Sequence, residues 1–130
     1  MLAALDIAGN PSSVHAEGRI ARGVIESARD SVARLVGAKP SEIVFVSGAT
    51  EANAWVMAQA WDTIFVSGIE HDSVLAPAKA SRAEIVMVPV DGSGRVNVEH
   101  IAGRVATGAN VGRALVSLQM ANNETGIVQD

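Results

Sequence analysis

An α/β fold, with a mostly parallel sheet flanked by helices, is predicted by two features of the sequence. Short apolar segments alternate with helix-like segments along the chain, at the spacing of β-α-β units. The composition, 48% hydrophobic and only 18% charged, supports a well-filled core and argues against disorder. We therefore expect one α/β domain over residues 1–130. The pattern does not predict the order of the strands.

The first third of the chain is predicted to be helical. Residues 1–8 are typical of the end of a short helix, and 9–13 of a turn-rich loop. From Ala16 to Val36, apolar residues recur at spacings of three and four, which predicts an amphipathic helix. Gly37 is a suitable terminator for that helix.

The rest of the chain is predicted as strands alternating with helices. Apolar runs predict a buried strand at 43–46 and further strands at 64–66, 84–90 and 114–118. Helices are predicted at 49–60, 72–80 and 97–106, with a turn at 91–94 and a polar loop at 119–124. Asp72 or Ser73 is expected to cap the helix at 72–80.

Composition excludes several classes of function. The net charge is −4 and no basic block occurs, so nucleic acid is not an expected partner. The longest apolar runs are about five residues, too short for a membrane span, and no signal peptide is recognisable. The absence of cysteine excludes disulfides and thiolate metal sites, and we expect no metal site. It is also compatible with a reducing cytoplasm, the expected location.

Three loops lie where predicted strands end: 47–50, 67–71 and 119–124. In parallel sheets, ligands bind beyond the carboxyl ends of the strands. If the strands are neighbours, the three loops line one crevice.

The first loop has the chemistry of an anion site. Gly48 allows close backbone approach, Thr50 adds a hydroxyl, and the next helix directs free N–H groups towards a phosphate. An ordinary strand-to-helix turn with a serine cap is the alternative.

His71 and the pair Asn122-Asn123 are the other candidates. A histidine near a helix N-terminus tends to be neutral, and a neutral imidazole can stack on a flat ring or exchange a proton. Side-chain amides can orient a polar ligand. The alternatives are a capping or surface role for His71 and a turn for the asparagines. His15 and His100 are weaker candidates.

Four motifs, in this order, resemble the cysteine desulfurases of the class V aminotransferase family: GNPSSVH (9–15), SGATEAN (47–53), EHDSVL (70–75) and ANNETGIVQD (121–130). The resemblance implies a fold type I enzyme that uses pyridoxal 5'-phosphate. It implies that Ala49 and Thr50 hold the cofactor phosphate. It implies that His71 stacks on the pyridine ring and assists proton transfer as a catalytic residue, and that Asn123 binds the phenolic oxygen.

The resemblance also implies a reaction. These enzymes convert L-cysteine to L-alanine and an enzyme-bound persulfide, whose sulfur serves iron–sulfur cluster assembly. Their expected partners are a second copy of the chain and sulfur-acceptor or scaffold proteins. A selenocysteine lyase, another class V aminotransferase and a non-catalytic α/β binding module remain alternatives; the stretch Asn122–Gly126 favours a desulfurase.

Three groups that such enzymes use are not matched. Lys39 and Lys79 do not have the sequence context of the lysine that binds the cofactor covalently, and no cysteine can carry the persulfide. Asp130 belongs to the last motif and is not the acidic partner of the pyridine nitrogen. We therefore expect residues 1–130 to be one partial large domain, without the N-terminal strand, the lysine region and the small C-terminal domain. By itself it should be inactive.

Overall fold

The computed structural model describes residue 4 and residues 6–108 and 110–129. The chain divides into two compact units, residues 1–45 and 46–130, which are described separately. Of the helix predicted over residues 1–8, positions 1–3 and 5 lie outside the described residues. None of the described helices is long and apolar enough to span a membrane.

The first unit contains helix α1, Ala16–Val36, with the predicted bounds. Gly37 ends the helix in the left-handed conformation (φ 69°) and donates its N–H to the Ala33 carbonyl. A short 3₁₀ turn follows at Pro40–Glu42, where the Glu42 carboxylate accepts the Lys39 N–H at 2.8 Å.

The buried strand predicted at 43–46 is wrong. These residues belong to no strand, and the Val44 and Phe45 side chains are 60% and 47% exposed. The Phe45 ring lies against the Arg29 guanidinium, 5.0 Å from the ring centroid. An apolar run forms a strand only where a neighbouring strand accepts its hydrogen bonds, and the sheet of the described residues pairs no strand with it.

The second unit is a three-stranded parallel sheet with helices. Its strands are β1 (Thr63–Ser67), β2 (Glu84–Val88) and β3 (Ala114–Ser117), in the order β2-β1-β3. Its helices are α2 (Ala49–Met57), α3 (Asp72–Ala80) and α4 (Val98–Ala106). The α/β prediction is confirmed.

β2 ends two residues earlier than predicted. Pro89 follows it and has no N–H to donate to a neighbouring strand. Val90 instead pairs antiparallel with Val96 across the turn at 91–94.

The central strand β1 supplies the core. All five of its residues are buried, because it has a strand on each side and helices packed against the sheet. Ile64 and Val66 point to one face and pack with Met57 of α2 and Val74 and Ala78 of α3. Phe65, on the opposite face, is also fully buried.

Strand order determines where the loops lie. Because β1 and β3 are parallel neighbours, the loops that follow them leave the sheet at the same end, the carboxyl end of its strands. The chain passes from β1 to β2 and then returns to the far side of β1, so the strand order reverses between β1 and β3. A crevice at such a reversal is where open α/β sheets bind ligands.

Candidate functional site

The first loop is held by a glutamate. The Ser47 backbone N–H and hydroxyl both donate to one Glu51 carboxylate oxygen, each at 2.7 Å. These two hydrogen bonds hold the pKa of Glu51 below its usual value; the bond from the Ser47 backbone has the larger effect and the bond from the hydroxyl the smaller. Gly48 is the N-cap of α2 and Ser47 does not cap it, so the serine-cap alternative is wrong. The first-turn N–H groups of α2 have no intrahelical acceptor, and Thr50 is exposed beside them.

His71 is the N-cap of α3. Its Nδ1 accepts the Ser73 backbone N–H at 3.0 Å, so the prediction of Asp72 or Ser73 as the cap is wrong. An unprotonated imidazole nitrogen accepts a hydrogen bond as a carboxylate oxygen does, which allows histidine to take this position. The capping alternative is therefore correct for Nδ1, while the ring remains exposed.

A buried glutamate joins the second loop to the third. Glu70 is only 7% exposed, and its carboxylate accepts the Ser67 hydroxyl at 2.6 Å. Both of its oxygens lie 3.1 Å from the Gln119 backbone nitrogen. This role of Glu70 was not predicted from the sequence. The signal available was an acidic residue shortly after a buried strand, because a buried charge needs hydrogen-bond partners.

The two asparagines of the third loop have different surroundings. Asn122 is buried; its Oδ1 accepts the N–H groups of Glu124 (2.9 Å) and Thr125 (2.8 Å). Its Nδ2 donates to the Ile69 carbonyl at 3.1 Å. The turn alternative thus describes Asn122, whereas Asn123 is exposed.

Two cavities meet at His71. One, of about 240 Å³, is lined by His71, Asn123 and their loop neighbours. The other, of about 370 Å³, is lined by His71, Thr50 and the first turns of α3. His71 thus shares one cavity with Thr50 and another with Asn123. Ala49 lines neither of these two cavities.

A third cavity is larger but has different walls. It measures about 480 Å³ and is lined mainly by Val96, Leu118 and Met120 with their neighbours. None of the predicted site residues lines it, whereas His71 lines one cavity with Thr50 and another with Asn123, so we place the candidate site at His71. Among the described residues, no group of three His, Asp or Glu side chains is placed to hold a metal ion.

Comparison with known proteins gives a consistent result. The family model for class V aminotransferases matches residues 3–130. A selenocysteine lyase of Xenopus tropicalis is 40% identical over 92% of this chain and 32% of its own length. The cysteine desulfurase IscS 1 of Archaeoglobus fulgidus is 41% identical over 93% of this chain and 33% of its own length.

A solved structure agrees with the sequence comparisons. The NifS-like protein of Rickettsia africae superposes with a TM-score of 0.84 at 34% identity, covering 98% of this chain and 36% of that one. This chain thus spans about a third of the length of the relatives it matches. The fold, the ordered motifs and these matches together show that the chain belongs to the class V aminotransferase family.

Proposed function

We propose that this chain forms the phosphate- and ring-binding side of a pyridoxal 5'-phosphate site in a cysteine desulfurase. The observation that carries the proposal is that His71 lines two cavities, one together with Thr50 and one together with Asn123. A flat phosphorylated ring needs an anion site, a stacking surface and an orienting polar group. These three residues supply one each.

The chemistry of the donors fits this cofactor. The free N–H groups at the start of α2, including those of Ala49 and Thr50, and the Thr50 hydroxyl suit a phosphate dianion. The Glu51 carboxylate of the same turn is held by two hydrogen bonds from Ser47, the N–H and the hydroxyl, at 2.7 Å each. The Asn123 amide suits a ring oxygen, and the His71 imidazole offers a flat face.

Each residue has a separable task in this mechanism. When bound, the cofactor supplies an electron sink for chemistry at the α-carbon of an amino acid. Thr50 and the α2 amides anchor the phosphate and fix the ring in place. His71 uses Nδ1 to cap α3, so only Nε2 is free to hold or move a proton at the substrate. Glu70 and Asn122 keep the second and third loops together.

Selenocysteine lyase is the second candidate, favoured by a specific observation. Relatives with the two names match this chain at 40% and 41% identity, over similar ranges. The two substrates differ only in sulfur and selenium, and the three residues assigned to the cofactor do not distinguish between them. We further propose that the whole enzyme is a cytoplasmic homodimer that passes sulfur to acceptor or scaffold proteins for iron–sulfur cluster assembly. Its support is the similarity to cysteine desulfurases.

Cofactor binding is tested by titrating the chain with pyridoxal 5'-phosphate and recording absorbance. We expect weak binding that Thr50→Ala and Asn123→Ala each reduce about tenfold, since each removes a polar contact worth roughly 1–2 kcal/mol. Thr107→Ala, which removes a threonine hydroxyl at the end of α4, is the matched control and should bind normally. Equal binding by all four proteins would contradict the assigned site. No binding at all would favour the non-catalytic α/β module.

Turnover is tested by measuring L-alanine and sulfide from L-cysteine with added cofactor. We expect none from this chain, because it has no cysteine to act as the nucleophile. Multiple turnovers would refute this prediction.

A further inference from the structure

A hydrogen-bond chain links α2 to the His71 ring. Asn53 of α2 donates from Nδ2 to the Ser73 hydroxyl oxygen at 2.9 Å. That oxygen lies 2.8 Å from His71 Nδ1, which also accepts the Ser73 backbone N–H at 3.0 Å. Two groups of Ser73 therefore converge on one ring nitrogen.

The direction of each proton follows from the chemistry of the groups. A backbone N–H can only donate, so Nδ1 accepts and is unprotonated in this arrangement. The Ser73 oxygen receives a hydrogen from the Asn53 amide, which leaves its own proton free to point at Nδ1. In a neutral ring whose Nδ1 accepts, the proton is on Nε2.

We propose that Asn53 and Ser73 are positioning residues that hold His71 in the Nε2–H tautomer. The ring then presents a protonated Nε2 to the site. This inference deepens the proposed function and takes its catalytic meaning from it. The tautomer itself is a property of this chain alone.

Helix capping does not explain the whole arrangement. A cap requires only the bond from the Ser73 backbone to Nδ1. Asn53 comes from a different helix, 20 positions earlier, and its bond to Ser73 is partly buried. Asn53 also follows Thr50 by three positions, so both lie on one side of α2. The same helix therefore carries a phosphate-binding hydroxyl and the group that orients the histidine.

The test is the tautomer of His71, read from the ¹⁵N shifts of its two ring nitrogens in slightly alkaline buffer without cofactor. The His71 signals are assigned by their loss in His71→Gln. In the native chain we expect a pyridine-like Nδ1 and a pyrrole-like Nε2. Ser73→Ala should weaken this pattern, because only the backbone donor remains, and Ser73→Thr should restore it.

Asn53→Asp is the decisive variant. It has nearly the same shape, but its carboxylate accepts the Ser73 proton, so the hydroxyl oxygen then offers Nδ1 a lone pair. We expect a fraction of the molecules to give up the bond from the Ser73 N–H and adopt the Nδ1–H form, so the two nitrogen shifts should move towards each other. Asn53→Ala should give a smaller change in the same direction. Gln59→Glu, which adds the same charge beyond the end of α2, should leave the shifts unchanged.

Two results would overturn the proposal: a pyridine-like Nε2 in the native chain, or native shifts in both Asn53→Asp and Ser73→Ala. Circular dichroism of each variant confirms that α2 and α3 are retained. The cofactor titration is a separate measurement. If the ring-nitrogen shifts behave as expected but the protein binds no cofactor, the tautomer assignment stands and the proposed function is contradicted.

Discussion

The candidate site combines exposed side chains with buried or half-buried ones that hold the loops and helices in position. Thr50, His71 and Asn123 are recognisable because each lies in a polar stretch at the end of an apolar run. Glu70 and Asn53 are not, because their roles depend on partners 49 and 20 positions away. A periodicity shows which side of a helix a residue occupies but not which other element faces that side. The contribution of Asn53 therefore emerges only when α2 and α3 are packed together.

Glu51→Gln should make stability less dependent on pH. The bonds from Ser47 lower the pKa of Glu51 in the folded chain from its ordinary 4.5. The ionised carboxylate therefore stabilises the fold fully above about pH 4.5, and this contribution is lost as the pH falls through the lowered pKa. We expect the variant to be less stable than the native chain at pH 7 and the difference to close in acid.

Urea unfolding at a series of pH values measures this difference. Asp30→Asn removes an equal charge from an exposed position of α1 and controls for net charge. A gap between native chain and Glu51→Gln that widens in acid would contradict the prediction.

At the scale of secondary structure elements, the sequence predicts helices better than strands. α1 has the predicted bounds because its apolar stripe and Gly37 are both local features. The segment 43–46 has the composition of a strand, but pairing is not a local property. The packing of α2 against α3 also had no local indication, and it is this packing that brings Thr50 to His71.

Phe65→Ala should be strongly destabilising. The side chain is fully buried in the central strand, so its loss removes apolar burial and leaves a cavity, at a cost of about 3–5 kcal/mol. Met87→Ala in the neighbouring strand β2 is the control, since Met87 is 47% exposed. The free energy of unfolding from urea titration should fall far less for Met87→Ala. Similar losses for the two would mean that β1 is not the centre of the core.

Gly112→Ala should destabilise the start of β3. Gly112 has a positive φ of 55°, and an added Cβ would lie 2.3 Å from an Asp62 carboxylate oxygen. That carboxylate accepts the Arg113 backbone N–H at 2.7 Å, so moving it aside would break a bond that holds β3 next to β1. We expect a loss of more than about 1 kcal/mol.

Gly103→Ala is the matched control for this substitution. Gly103 is in α4, and an added Cβ would meet nothing within 4 Å. Because alanine favours a helix interior over glycine, that variant should gain up to about 1 kcal/mol. Thermal unfolding of both proteins measures the contrast, and shifts of the same sign would count against the steric argument.

At the scale of the whole molecule, the fold class follows from the sequence but the strand order does not. Parallel strands joined by helices give the same alternation for several orders. The order β2-β1-β3 decides the site, because it makes the loops after β1 and β3 neighbours. That the described residues form a single partial domain stays a prediction.

The chain should self-associate at high concentration. Its sheet has edges at β2 and β3, and both carry half-exposed apolar side chains, Met87 (47%) and Val116 (50%). Unpaired strand edges with apolar side chains promote pairing between molecules. Sedimentation velocity over a concentration series should show oligomers that the double variant Met87→Lys, Val116→Lys reduces. A native chain that stays monomeric throughout would refute this expectation.

The dual position of His71 gives the molecule a built-in reporter. The imidazole contacts the start of α3 through one nitrogen and borders both cavities with its ring. Any guest that stacks on the ring or alters its charge must change the magnetic environment of the Ser73 amide. Binding in the crevice can therefore be detected from the Ser73 amide resonance alone, without a label attached to either cavity.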